Sequence, residues 1–288
     1  MLARPISVLV LCALSGAPMT AYGQNAEKHY QDGSMLLGEG KIDEAIAQLK
    51  KAIAGRPDLA SAHFNLGVAY ERKGDLESST GFYEKAVACK PEDPKYRLGL
   101  GHIYQERNLL SKAIEAYQEA ARVDSKNVKT LLILGDLHKK KGDIRDCIES
   151  YKKAGELEPK NAKIYLNLGD VCKKHRMLPE AVEAYRKAAA LMPRDAKIFF
   201  NLGNTYLEKE EFGQAVETYR QALKLKYPSP ANVYFNLGIA YQKQENNPEA
   251  IKAYEAYLAA APRASNGKQI REVIDGLKKL ADKPKGQK

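Results

Sequence analysis

The chain has 288 residues, 44% of them hydrophobic, with 17 tyrosines, no tryptophan and a formal net charge of +10. That apolar content and the scattered glycines exclude a collagen-like or disordered chain, while the length alone permits one large domain or two ordinary ones. The excess of Lys and Arg lies mainly in residues 94–195 and in the tail from residue 264, which favours an acidic partner without naming one.

From the N-terminus, the first segment is Met1 to Gly23. Arg4 gives a short basic start, Ile6 to Ala17 an apolar stretch, and Ala21 and Gly23 are small residues just before Gln24. This is the layout of a cleavable secretory signal peptide over 1–23, with a retained anchor as the alternative. The apolar run falls short of the roughly 20 residues that cross a bilayer as a helix. Leu11 before Cys12 is not the small residue of a lipoprotein signal, and no Asn-x-Ser/Thr sequon occurs. The expected location is therefore the bacterial periplasm or the exterior.

After the signal the chain repeats itself. Glycines following a Leu stand at 67, 101, 135, 169, 203 and 238, with Gly33 a weaker first member, at intervals of 34 and finally 35. A fixed period of this length marks a solenoid built by stacking one small unit. The units run 26–59, 60–93, 94–127, 128–161, 162–195, 196–230 and 231–263. In the second, Phe64, Leu66, Gly67 and Tyr70 mark one helix, Gly74-Asp75 a turn, and Phe82, Tyr83, Ala86 and Val87 a second helix before Pro91. The glycines are expected to meet small residues of the partner helix, Gly67 against Ser79 and Ala86, and Gly203 against Ala215 and Ala222. The tyrosines at 83, 117, 151, 185, 219 and 254 are expected to fill the space between one pair and the next. The first unit departs from the pattern at His29 and Asp32 and reads as a polar cap or a frayed end. The sixth carries one extra residue within Tyr227 to Ala231. Beyond the repeats, Ile270, Val273, Ile274, Leu277 and Leu280 have helical spacing and predict a capping helix within 264–281. Residues 282–288 form a basic tail.

The recurring set of an aromatic, Leu-Gly, Tyr, then Ala, an aromatic, Ala and Pro resembles the tetratricopeptide repeat. The resemblance covers about 26–263, and it implies an all-α fold: a right-handed superhelical solenoid of about seven helix pairs plus the capping helix.

No chemistry-bearing motif accompanies the repeats. The histidines at 29, 63, 102, 138 and 175 show no metal-ligand spacing, no Cys-x-x-Cys is present, and no nucleophile motif or phosphate-binding loop occurs. No catalytic residue, metal or cofactor is expected, and the chain reads as a non-enzyme. Cys147 and Cys172 fall in adjoining units, as two buried thiols or as a disulfide.

What remains is surface. Asn65, Asn167, Asn201 and Asn236 each precede Leu-Gly. The resemblance implies that this position faces a concave groove, where an amide side chain suits a peptide backbone because it both donates and accepts. Gly99 and Ile133 interrupt the ladder. Lys95, Lys129, Lys163 and Lys197, each the second residue of its unit, would line one edge, and Phe64, Phe200 and Phe235 offer apolar surface. Lys139 to Lys141 and Lys173 to Arg176 add positive charge at the ends of first helices. Asn204 and Asn236 match the two asparagines of the family's carboxylate clamp, but Phe200 stands in place of its first lysine. The expected function is a periplasmic scaffold holding an extended peptide or helix of an envelope partner. The alternative is a structural subunit or assembly factor of an envelope complex, such as secretion, pilus, outer-membrane or cytochrome maturation machinery, that uses its edges or convex face. The partner is a protein or peptide, with an acidic one suited to the lysines. No nucleic acid and no integral membrane span are expected, and self-association is left open.

Overall fold

The computed structural model describes residues 19–281, with side chains from 24 to 280. Residues 1–18 of the expected signal and the basic tail at 282–288 lie outside the described residues. The described residues form fifteen α-helices and no strand. They divide into two compact units, up to Leu137 and from His138.

The first unit holds α1 (Met19–Gly38), α2 (Ile42–Gly55), α3 (Ala60–Arg72), α4 (Leu76–Cys89), α5 (Pro94–Glu106), α6 (Leu110–Val123) and most of α7 (Val128–Lys141). In it, α1 pairs with α2, α3 with α4 and α5 with α6, and α2 also packs on α3 and α4 on α5. The second unit takes the end of α7, then α8 (Ile144–Leu157), α9 (Ala162–Lys174), α10 (Leu178–Leu191), α11 (Ala196–Glu208), α12 (Phe212–Lys224), α13 (Pro230–Lys243), α14 (Asn247–Ala260) and α15 (Gly267–Ala281). Its pairs are α9 with α10, α11 with α12 and α13 with α14.

The helix starts follow local chemistry. The carboxylates of Asp75, Asp93 and Asp195 accept the amides of Ser78, Lys95 and Lys197, and Asn127 and Asn246 cap in the same way. Proline occupies the first turn of α5, α10, α13 and α14, where its missing N–H leaves nothing unsatisfied. The turn inside each hairpin is also a repeat. Gly40, Gly74, Asn108, Gly142, Arg176, Glu210 and Glu245 all have φ between 57° and 91°. At most of these turns, such as the one at Glu210, the amide after the left-handed residue donates to a carbonyl five residues back and its own amide to one three back, which ends the first helix in a Schellman motif.

At Gly67, Gly101, Gly169, Gly203 and Gly238 the hairpin interior differs from the expectation of glycine against small residues. A Cβ built on Gly67 would lie 2.9 Å from the Tyr83 ring, and one on Gly203 would lie 2.7 Å from Tyr219. The missing side chain thus makes room for the tyrosine of the same hairpin, a flat group that fills more space than an alanine. The tyrosines therefore seal the inside of a pair, not only the gap to the next. In the first unit Tyr83 meets both, because a Cβ on Gly99 of the following helix would touch the same ring at 2.9 Å. The small residue at Ser79 has another use: its hydroxyl donates to the Gly67 carbonyl at 2.8 Å.

At the ends of the chain, α1 begins at Met19, ahead of the expected first repeat. His29 is tied to Gln48 at 2.8 Å, so this unit is held and not frayed there. The capping helix α15 packs on α14 through buried Ile270, Ile274 and Leu277, whereas Leu280, expected on the same face, is 57% exposed. Cys147 and Cys172 are both buried, and burial pushes the Cys172 thiol up to about 11.

Candidate functional site: the first-helix polar face

The asparagine ladder sits on the first helices, half-buried at every position, and most of it is engaged across the repeat boundary. In the first unit the Asn65 amide donates to the Ser34 hydroxyl at 2.8 Å. In the second unit Asn201 donates to Asp170 at 3.4 Å and Asn236 to Asn204 at 2.8 Å. The receiving residue follows the conserved-spacing glycine directly: Ser34 after Gly33, Asp170 after Gly169, Asn204 after Gly203.

Two of these acceptors, Asp170 and Asn204, also hold interior tyrosines. Tyr185 donates its hydroxyl to the Asp170 carboxylate at 2.5 Å, and Tyr219 donates to the Asn204 carbonyl oxygen at 2.7 Å. Each acceptor therefore ties the second helix of its own hairpin to the first helix of the next. Burial is the main cause of a raised pKa at Tyr185, with the Asp170 carboxylate adding to it. These tyrosines stay neutral donors at neutral pH. In the first unit Glu71 plays the corresponding part, accepting from Tyr83 at 2.7 Å with His102 Nδ1 at 3.2 Å.

These bonds leave a specific remainder. Asn204 accepts twice through its oxygen, so its NH2 group is available, while Asn236 donates and keeps its carbonyl oxygen. One donor and one acceptor thus stand side by side, the pair a peptide group presents in reverse. Asn167 is half-buried on α9, one hairpin earlier than Asn201.

The aromatic residues are partly occupied by their neighbours. Phe200 stacks on Tyr227 with centroids 4.5 Å apart, Phe235 lies 5.2 Å from Tyr257, and Phe64 lies between Tyr83 and Tyr96. Lys95 is drawn over the Phe64 ring at 4.6 Å, whereas Lys129, Lys163 and Lys197 are exposed. The positive runs at the ends of first helices are largely used within the protein. Lys173 pairs with Glu208 at 3.3 Å, Lys141 pairs with Asp143 at 2.8 Å, and Arg176 forms a left-handed turn.

Sequence reasoning missed Asp170 and Ser34 as members of the face, although the period carries the signal, since they sit one residue past the glycine ladder. It also missed a cleft of about 840 Å³ between α11, α12 and α13, lined by Phe199, Gln214, Glu217, Arg220, Tyr241 and Gln244. None of the ladder residues lines it. No described helix is long and apolar enough to cross a membrane.

A search of curated proteins finds no match. Solved structures do match. The chain is 28% identical to the MamA protein, covering 59% of this chain and 92% of that one with a TM-score of 0.52. It is 23% identical to YrrB, described as a TPR protein with an unusual peptide-binding site, over 62% of this chain and 92% of that one, TM-score 0.52. A TPR repeat-containing protein from Cytophaga hutchinsonii aligns over 84% of this chain and 98% of its C-terminal part, at 17% identity and a TM-score of 0.60. Family models described as TPR repeat match residues 33–74, 135–175 and 178–210, and models described as tetratricopeptide repeat match 60–93, 94–127 and 200–265. With the period, the helix pairs and these matches in agreement, the chain belongs to the tetratricopeptide-repeat family, whose fold serves as a scaffold for protein–protein interaction.

Proposed function

We propose that this protein is a non-catalytic scaffold of the periplasm that holds an extended segment of an envelope partner against its first-helix face. The observation that carries this reading is the neighbouring donor on Asn204 and acceptor on Asn236, each fixed by its other end. Such a pair recognises a backbone and not a particular side chain, and because it is already immobilised, little ordering entropy is lost on binding. At roughly 1 kcal/mol per hydrogen bond, these contacts set register more than affinity. Lys163 and Lys197, exposed in the same unit, would add attraction for acidic segments that weakens with salt. The signal-like layout of residues 1–23, a basic start, an apolar stretch and small residues before Gln24, supports the location.

The test is capture of partners from a native envelope extract by the immobilised protein. Asn236→Leu removes the acceptor and is expected to reduce capture about tenfold for a loss of about 1.4 kcal/mol. The Asn236 amide also bonds to Asn204, so thermal unfolding is followed in parallel. Asn236→Asp keeps an acceptor at that position and separates binding from stacking. Capture that is unchanged in a folded Asn236→Leu protein would sink the proposal.

The cleft beside Phe199 and Tyr241 favours a second reading, a subunit that docks through the surface where α12 meets α11 and α13. In that case Gln214→Arg would abolish capture and Asn236→Leu would not.

A further inference from the structure

The turn of the fourth hairpin differs from the others in what it brings together. In each such turn one amide donates to the carbonyl five residues earlier. The accepting residue is Leu36, Tyr70, Tyr104, Cys172, Tyr206 or Tyr241 elsewhere, and the donor is Lys41, Asp75, Leu109, Met177, Glu211 or Asn246. In the fourth turn the Asp143 amide donates to the His138 carbonyl at 2.9 Å, so an imidazole and a carboxylate occupy the two places. The imidazole is only 5% exposed, and its Nδ1 lies 3.6 Å from a carboxylate oxygen of Asp143 and 3.9 Å from one of Asp146. Asp146 falls in the first turn of α8, directly after Asp143. The three ligand atoms lie within 4.8 Å of one another, the one such group of His, Cys, Asp and Glu among the described residues.

Two ligands bound to a single zinc-type ion, each about 2.0–2.2 Å from it, stand roughly 3–4 Å apart. We propose that His138 Nδ1, Asp143 and Asp146 form a binding site for a divalent transition ion of the zinc class, which would staple the turn before α8. One nitrogen with two carboxylates suits Zn²⁺, Co²⁺ or Ni²⁺ better than Ca²⁺ or Mg²⁺, which prefer all-oxygen shells. A neutral imidazole and two carboxylates also match the charge of a divalent ion. Asp146 is 59% exposed, which gives an entry path and leaves room for water in the remaining position. Lys141 is the built-in competitor: its ammonium lies 2.8 Å from Asp143 and holds that carboxyl below its usual range. With its side chain 42% exposed it is free to swing into solvent when an ion takes its place.

The test uses the full mature chain, stripped with chelator and titrated with Co²⁺, reading visible ligand-field absorption and displacement by Zn²⁺. Saturable uptake of one Co²⁺ per chain is expected, with a Zn²⁺-dependent rise in unfolding temperature that Mg²⁺ does not reproduce. His138→Tyr installs the residue found at this register in Tyr104 and Tyr206, so the hairpin keeps its packing, and it should abolish uptake. Asp146→Asn, at an exposed position, should weaken uptake at least about tenfold, and it carries the test if His138→Tyr fails to fold. No saturable uptake, or uptake unchanged by the variants, overturns the proposal. The partner-capture assay on Asn236 involves neither residue, so the two ideas fail separately.

Discussion

The second hairpin, α3–α4, and the sixth, α11–α12, share an interior and differ at its borders. Both lay a tyrosine ring on a glycine, Tyr83 on Gly67 and Tyr219 on Gly203. The hydroxyls then part ways. Tyr83 bonds to Glu71, a charged acceptor approached by His102, whereas Tyr219 bonds to Asn204, a neutral one shared with Asn236. The turns differ too: Gly74 has φ 82° and Glu210 has φ 63°. The interior is held constant by steric fit, while the residues that rim it vary, and the variation at the rim gives the sixth hairpin its free donor and acceptor.

Four sets of substitutions and conditions would break or sharpen that contrast. Tyr219→Ala empties the shared interior and is expected to cost about 4 kcal/mol, as for other large buried rings, read as a shift of the urea midpoint. Tyr83→Ala should cost a similar amount, and a loss under about 1 kcal/mol at either site would show that the ring does not seal its hairpin. Gly203→Ala comes next at about 2 kcal/mol, because the added methyl overlaps the ring. Gly81→Ala is the control, since no atom lies within 4 Å of a Cβ there, and it should gain about 0.5–1 kcal/mol of helix propensity. If both glycines respond alike, ring contact is not the cause.

Alkaline pH acts on several hairpins together. Burial pushes Tyr104, Tyr117 and Tyr254 up to about 12. A folded pKa above the unfolded value of about 10 means the native state holds the proton more tightly. The associated stability is complete below pH about 10 and is lost as pH rises toward 12, by at most about 1.4 kcal/mol per pH unit for each ring. Denaturation followed across this range should show a falling midpoint, and a flat profile from pH 10 to 12 would contradict the burial of the rings.

The smallest effect lies at the turns, and its sign should reverse between the two hairpins. Glu210→Gly relieves a left-handed residue that carries a Cβ and is expected to stabilise by up to about 1 kcal/mol, while Gly74→Ala should destabilise by about 1 kcal/mol. Thermal unfolding of the pair checks this, and shifts of the same sign would refute it.

The fold was largely legible because the glycine and tyrosine positions recur at a fixed interval, and only a stacked array satisfies that. Which groups meet inside the hairpin was less legible. Spacing places Gly67, Ser79 and Tyr83 on facing sides, but it does not say that a ring reaches deeper than a serine. The turns hid for a related reason: Gly40, Gly74 and Gly142 announce a left-handed residue, but Arg176, Glu210 and Glu245 adopt it without any side-chain signal. The asparagines were found, but their partners were not. Ser34, Asp170 and Asn204 each lie about one repeat away along the chain, so the bonds belong to the stacking and not to local sequence. His138, Asp143 and Asp146 match no familiar ligand spacing, since a turn and not a helix face brings them together.

The extra residue of the sixth unit has a consequence for the whole array. At the end of α12 the Tyr227 amide donates to Ala222 and the Lys226 amide to Leu223, with Lys226 left-handed at φ 58°. This is the motif used inside hairpins, placed here at their outer joint. It works as a phase reset. The chain is longer by one residue, yet Gly238, Tyr254 and Glu245 resume the places of Gly203, Tyr219 and Glu210. Because the slip is absorbed in a single backbone conformation, the array can change its count of residues at a joint without changing what it presents. Duplication and loss of whole units in such a gene need not be exact to the codon.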